Sequence, residues 1–285
     1  MLSVIIPTLG RADVLPRALR SVLAQLPADA ELCIVDQSDP PTRSGFEHLA
    51  DPRVRHLTGV SPGLPAARNV GLASTSGRIV LFLDDDVVLH PGCLRAHLAT
   101  YQDPTVGGVV GRIVEARLVA NARSTCNRVG RGGRIVTRLD GPDPVDVETL
   151  KGANMSFLRR ALQDAGGFDP GYGGSALLED ADASTRVRRA GWRLRYAPDA
   201  AVDHLHHPTG GVRQGGALAT ECWRFHNTAR FVRIHRGPAG GIPLAATFSA
   251  IAVRRALDWR RPSAPAELLR ALWTGWHGAA DAGIG

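Results

Sequence analysis

Lysine is almost missing: Lys151 is the only one in 285 residues, so arginine carries nearly all the base behind a formal net charge of +7. A basic balance fits phosphorylated small molecules or an anionic membrane as well as it fits nucleic acid. Aromatic residues make up only 5% and are not interleaved with the arginines, which argues against nucleic-acid binding. Cysteine is scarce too. Cys33, Cys93, Cys126 and Cys222 form no CxxC pair, so they read as buried thiols in a reducing compartment and not as a disulfide framework or a cysteine-held zinc site. The longest uncharged run, 237–253, holds 17 residues with glycine and proline crowded at its start, short of the ~20 apolar residues a spanning helix needs. Met1-Leu-Ser-Val-Ile-Ile-Pro7 reads as a strand and lacks the charged start of a leader, so a cytoplasmic protein is expected. Neither G-x-G-x-x-G nor G-x-x-x-x-G-K-[ST] occurs. Any phosphate must be held another way, which favours a metal.

What is present is ordinary for a globular chain, with 44% hydrophobic and 21% charged residues. The length suits one large or two small domains. Ile79-Val-Leu-Phe-Leu-Asp-Asp-Asp-Val-Val-Leu89 stands out, because an apolar run enters three consecutive carboxylates. A doubly buried strand of a parallel sheet has this look, with its carboxyl end at the crevice where open α/β sheets bind ligands. Three adjacent carboxylates repel one another and ask for a cation. Asp84 and Asp86, two apart on extended chain, can converge on one hard divalent ion.

Strand and helix alternate through the first half. Leu2–Ile6, Glu31–Val35 and Val54–Leu57 read as strands; Asp13 can cap a helix whose apolar face is Leu15, Ala18, Leu19, Val22, Leu23 and Leu26; Pro62 to Gly71 opens another. This order implies a mostly parallel sheet with ligand chemistry at the strand ends, at Thr8, Asp36 and Asp84 to Asp86. Val106 to Val114 reads as a strand and the arginine-rich stretch 117–138 as a solvated loop or an anion-binding flap. Lys151 to Phe157 is extended, with Gly152, Ala153 and Asn154 small enough for a sugar to approach, or for a bulge. A helix follows near Arg159 to Ala165, and another from Glu179 to Gly191 whose early carboxylates and late arginines complement its dipole. Trp192–Tyr196 and Ala200–Val202 read as two short strands before Asp203-His-Leu-His-His207.

Val4-Ile-Ile-Pro-Thr8, Val35-Asp-Gln-Ser-Asp39, Ala67-Arg-Asn-Val-Gly71 and Phe82-Leu-Asp-Asp-Asp86, in that order, resemble the nucleotide-sugar half of a family 2 glycosyltransferase. The resemblance continues through Lys151-Gly-Ala-Asn-Met155, Gly166-Gly-Phe-Asp169, Glu179-Asp-Ala-Asp182 and Gly191-Trp192. It implies an α/β GT-A fold, Rossmann-like, over residues 1–210, with a nucleotide-sugar half at 1–114 and an acceptor half at 145–210. Residues 211–285 then form a basic, mostly helical extension.

The resemblance implies roles as well. Pro7, Thr8, Arg11, Asp36, Arg68, Asp84, Asp85, Gly152 and Asn154 would contact the nucleotide sugar, with Asp36 reading the base and Arg68 facing the diphosphate. Gln37 stands where the family usually has a second aspartate, which leaves the base, uracil or thymine by preference, less defined. Asp84 and Asp86 would hold Mg²⁺ or Mn²⁺, with His204 as a further ligand. Glu179, Asp182 and Trp192 would face the acceptor, and Asp180 would be the general base, with Asp182 as the second candidate. The implied activity is inverting, metal-dependent transfer from a UDP or dTDP sugar to a hydroxyl of a glycan, a lipid-linked glycan or a small molecule. A sugar nucleotidyltransferase is the alternative but lacks its glycine-rich start; a non-catalytic nucleotide-sugar or membrane-binding module is another, and intact Asp84, Asp86 and Asp180 argue against it. Residues 221–285 carry nine arginines against four acidic residues among apolar and tryptophan side chains. They read as a peripheral contact with the inner face of a membrane, or as helices packed on the catalytic core.

Overall fold

The computed structural model describes residues 1–42, 51–115, 125–207, 211 and 216–278. Its strands are β1 (Leu2–Thr8), β2 (Glu31–Asp36), β3 (Val54–Leu57), β4 (Ile79–Leu83), β5 (Val87–Leu89), β6 (Val106–Glu115), β7 (Cys126–Val129), β8 (Ile135–Arg138), β9 (Val145–Asp146), β10 (Asn154–Leu158) and β11 (Arg193–His204). Its helices are α1 (Leu15–Leu23), α2 (Leu64–Ala73), α3 (Cys93–Thr100), α4 (Arg159–Asp164), α5 (Glu179–Arg189), α6 (Gly216–Arg236), α7 (Gly241–Asp258) and α8 (Ala264–His277). One sheet runs β3-β2-β1-β4-β10-β6-β11-β5, with β9 on β11. The first four strands are parallel, as expected of strands joined through α1 and α2. Every residue of β1 and β4 is buried, as strands covered on both faces require. β10 then enters antiparallel to both β4 and β6 and joins the two halves of the sheet.

Several local expectations change in the structure. Within the stretch 79–89, β4 stops at Leu83 where the carboxylates begin, as expected, but after their turn β5 pairs with β11 at the far end of the sheet. Adjacent carboxylates cannot all be desolvated in a ladder, so the chain turns where they begin. The two strands expected at 192–202 are one, β11, whose register slips between Ala197 and Val202. Gly111 on β6 gives that irregularity room, since a Cβ there would run into the carbonyl of Ala200. The loop expected at 117–138 contains a hairpin of β7 and β8, closed by Gly133 at a positive φ of 80°; positions 116–124 lie outside the described residues. Asp13 does not cap α1. Its carboxylate instead meets the His207 ring at 3.0 Å.

The C-terminal helices build a second apolar cluster. Phe225 of α6 meets Phe248 of α7 edge-on at 4.7 Å, and Leu268 and Ala271 of α8 join them. Tyr172, Leu178 and Ala181 belong to the same cluster, so the helices cover the acceptor half. No helix of the described residues is long and apolar enough to cross a membrane.

α3 is tied to β10 through a buried imidazole. His97 Nδ1 lies 2.9 Å from the Ser156 hydroxyl and Nε2 lies 2.9 Å from Asn154 Oδ1. Burial lowers its pKa from 6.5 to about 4. Between those values the unfolded chain takes up a proton that folded His97 refuses, so this group's contribution to stability is intact above the unfolded value and is lost as pH falls toward the folded one. His97→Gln should therefore flatten the acid limb of the stability curve, by up to about 3 kcal/mol for a shift of this size. Urea midpoints of both proteins at neutral pH and at about pH 4.5 test this, because the carboxyls and the other imidazoles titrate in both. Parallel losses in the two proteins would exclude the assignment.

Candidate active site

β1 and β4 end side by side, and that places Thr8 beside the acidic turn. Asp85 is buried; it accepts hydrogen bonds from the Thr8 hydroxyl at 2.7 Å and from Arg11 Nη1 at 2.7 Å. Burial pushes its carboxyl up to about 6 against the pull of Arg11. Asp86 is also buried, with Arg11 Nη1 at 3.0 Å, the His207 N–H at 3.0 Å and His204 Nε2 at 3.2 Å. Burial would raise Asp86, but His204, the His207 N–H and Arg11 together hold it below the usual carboxylate range. Asp84 is partly exposed, 3.5 Å from Arg68 Nη2 and 4.0 Å from His204 Nε2.

Donor atoms of Asp84, Asp86 and His204 lie within 4.8 Å of one another. Asp86 Oδ1 is buried 3.2 Å from His204 Nε2 without a well-directed hydrogen bond. A buried carboxylate oxygen beside a second carboxylate and an imidazole is a donor set that fits a divalent cation such as Mg²⁺ or Mn²⁺. The sequence foresaw all three residues; β11 delivers the histidine by pairing with β5 immediately beyond the acidic turn.

The facing wall is the start of α5. Leu178 takes a left-handed φ of 75° at the cap and turns Glu179 inward. Glu179 is buried against Arg68 Nη1, and Arg68, itself 1% exposed, also donates to the Gly152 carbonyl at 3.3 Å. Burial lifts the Glu179 carboxyl above its ordinary value, Arg68 pulls it back, and Asp180 adds repulsion. A Cβ on Gly152 would stand 2.6 Å from the guanidinium, so Arg68 requires glycine there. Asp180 accepts the Gly152 N–H at 2.9 Å and the Ala181 N–H at 2.7 Å.

These residues share a cavity of about 380 Å³ whose lining includes Pro7, Thr8, Arg11, Arg68, Asp84 to Asp86, Gly152, Ala153, Glu179, Asp180 and His204. Four residues expected at the site lie elsewhere. Asp36 is wholly buried and accepts the Ser38 and Thr42 N–H groups, so its neighbour Gln37 reaches the cavity instead. Asn154 binds His97 and the Ala200 carbonyl. Asp182 is saturated by Arg186 at 2.5 Å and His235 at 2.8 Å. Trp192 packs over Gly107 at the start of β6.

Other lining residues were not anticipated. Asn127, Val129, Ile135 and Thr137 come from the β7/β8 hairpin, Ser175 to Leu178 from the turn before α5, and Thr220 and Arg224 from α6. Alternation of Val129 and Ile135 with polar neighbours was the one available signal for the hairpin. Lys151 lines the same space.

A family model described as "Glycosyl transferase family 2" matches residues 3–165. The chain belongs to that family. The pre-mycofactocin glycosyltransferase of Mycobacterium tuberculosis is 34% identical over 215 residues, which is 72% of this chain and 42% of the relative. The family 2 chain thus spans less than half the length of that relative. Among solved structures, the mannosyltransferase PcManGT from Pyrobaculum calidifontis, in complex with GDP-Man and Mn²⁺, superposes with a TM-score of 0.60 at 19% identity, covering 98% of this chain and 87% of the other. S. aureus TarS, residues 1–349 in complex with UDP-GlcNAc, gives 0.65 at 15% identity, covering 96% and 80%. At such identities the likeness establishes the GT-A fold of this family 2 chain.

Proposed function

We propose that the protein is a metal-dependent, inverting glycosyltransferase that moves a sugar from a nucleoside diphosphate, UDP or dTDP by preference, to an acceptor hydroxyl. The observation that carries this reading is one cavity with Asp84, Asp86 and His204 on one wall and Asp180 on the other. The PcManGT and TarS complexes, each with a nucleotide sugar in the same fold, support the donor class. The glycosyltransferase relative supports the reaction class.

Asp84, Asp86 and His204 would hold Mg²⁺ or Mn²⁺. When bound, that ion supplies positive charge to offset the diphosphate leaving group. Arg11 and Arg68 keep the carboxylates in place, and Arg68 also fixes Glu179, which leaves Asp180 at the cavity surface. The Gly152 N–H holds one Asp180 oxygen and sets its orientation. The carboxylate takes the acceptor hydroxyl's proton as that oxygen attacks the anomeric carbon. A single displacement from the opposite face inverts the configuration. Asp182 is a weak candidate for this role because Arg186 and His235 occupy it in a closed cluster.

A screen of UDP, dTDP and GDP sugars for metal-dependent turnover tests the reading directly; no turnover or hydrolysis of any donor, with or without Mn²⁺, would overturn it. Asp180→Asn should leave nucleotide binding near normal while kcat falls by ~10²- to 10⁴-fold, typical of a lost general base. Asp182→Asn should lower Tm instead. If the Asp182 variant were well folded and inactive, the base would have to be reassigned. Asp86→Ala should abolish the Mn²⁺ dependence of UDP binding; an affinity that still responds to Mn²⁺ would remove Asp86 from the ligand set.

The extension fits a peripheral contact at the cytoplasmic face of a membrane in addition to its packing role. Ile242, Val253 and Leu257 are 84%, 58% and 74% exposed, and at 3.6 residues per turn they fall within about 60° of one another on α7. Arg254 borders that stripe with its side chain 83% exposed. Ile242→Ser combined with Leu257→Ser should release the protein from acidic vesicles without changing Tm, and high salt should weaken the wild-type contact. Wild-type protein that does not sediment with acidic vesicles at low salt would retire the idea.

A further inference from the structure

A second set of metal-ligand side chains lies on the other side of the His204 ring. β6 and β11 are paired so that Glu115 stands opposite His204, and His206 follows two residues on. Glu115 Oε1 is 3.3 Å from His206 Nε2 and 4.0 Å from His204 Nδ1. All three residues offer donor atoms within 4.8 Å of one another. Ligands ~2.05 Å from a tetrahedral ion sit about 3.3 Å apart. The Glu115 and His206 pair already has that spacing, and the 4.0 Å edge from Glu115 to His204 exceeds it by about 0.7 Å.

Two further observations point at a ligand. His204 Nδ1 is buried and has no hydrogen-bond partner among the described residues, in a side chain only 10% exposed. Buried polar nitrogens are ordinarily satisfied. His206 adopts a φ of +50°, and its ring lies 4.0 Å from that of His204, centroid to centroid. A non-glycine residue keeps that conformation only where its surroundings hold it.

We propose that Glu115, His204 and His206 form a second cation site, of the zinc class, back to back with the Asp84 and Asp86 group and sharing its imidazole. Two imidazoles and one carboxylate are softer than two carboxylates and one imidazole, so the two sites differ in the ions they favour. An ion on Nδ1 leaves the ring proton on Nε2, where it faces Asp86; an ion on Nε2 leaves it on Nδ1, facing Glu115. The sites therefore compete for one ring. That competition, unlike the zinc site itself, rests on the proposed role of Asp84, Asp86 and His204 as metal ligands.

The test uses the full chain stripped of metal, with Zn²⁺ as the titrant. Asp84→Asn removes a ligand from the neighbouring group alone, so calorimetry on this variant isolates the new site. It should bind one equivalent of Zn²⁺, and adding Glu115→Gln or His206→Ala should weaken binding ~10²-fold or more, with Tm of the metal-free proteins unchanged. Co²⁺ in place of Zn²⁺ should give the intense visible d–d bands of a low-coordinate ion, absent from the His206→Ala double variant. In the wild type, bound Zn²⁺ should weaken Mn²⁺ affinity, read by the paramagnetic resonance of free Mn²⁺. Zinc binding that is lost in Asp84→Asn, or that survives both Glu115→Gln and His206→Ala, overturns the site; Mn²⁺ affinity indifferent to Zn²⁺ overturns the shared ring. Wild type that binds Zn²⁺ as described but never Mn²⁺ would support the second site and count against the metal in the proposed transfer reaction.

Discussion

Mutual repulsion among Asp84, Asp85 and Asp86 is the constraint around which the molecule is arranged. Two carboxylates about 4 Å apart repel by roughly 4 kcal/mol at an effective dielectric constant near 20, and burial strengthens this. The structure answers with basic groups from separate elements. Arg11 reaches Asp85 and Asp86 from the segment after β1, Arg68 approaches Asp84 from α2, and His204 arrives on β11. Each is half or more buried, so each depends on the strand or helix that carries it being in place. Strand order, the turn after β4 and the pairing of β5 with β11 are in this sense one electrostatic solution.

The same logic extends to the opposite wall. Arg68 neutralises Glu179 as well as Asp84, and so links the nucleotide-sugar half to the start of α5. Breaking such a buried pair by removing one partner leaves an uncompensated charge and typically costs 3–5 kcal/mol, roughly. Asp180 escapes this network and keeps its side chain at the cavity. The C-terminal helices finish the wall: His235 of α6 closes on Asp182, Arg230 on Asp169 at 2.7 Å, and Asn227 on the Gly173 carbonyl at 3.0 Å. Trp223 lies against Gly173 and Gly174, where any side chain would collide with the indole. The glycine-rich segment 169–174 is thereby held by α6.

Much of the first half was legible because local signals agreed there. Short apolar runs bounded by turn residues marked β1, β2 and β4, the weaker Val54–Leu57 stretch marked β3, and 3.6-residue periodicity marked α1. The abrupt change from apolar to acidic side chains after Leu83 located the cavity; the spacing of Asp84 and Asp86, together with the family resemblance that singled out His204, named a cluster that tertiary structure does assemble. Those features are local in the chain or chemically conspicuous, and so survive reading without coordinates.

Position within the tertiary fold decided the rest. Asp36 and Asp180 each accept two backbone N–H groups, yet Asp36 is wholly buried with His56 at 3.2 Å while Asp180 keeps a half-buried side chain on the cavity. Asp180 and Asp182 are two apart on one helix, but Asp182 is held by Arg186 and, from α6, by His235, while Asp180 meets the Gly152 N–H at the cavity. The β7/β8 hairpin and α6 supply cavity walls from positions remote in sequence, joined by burial that no local pattern records. Composition and periodicity determine which elements form, since those depend on neighbours along the chain; which carboxylate is paired and which is free depends on neighbours in space.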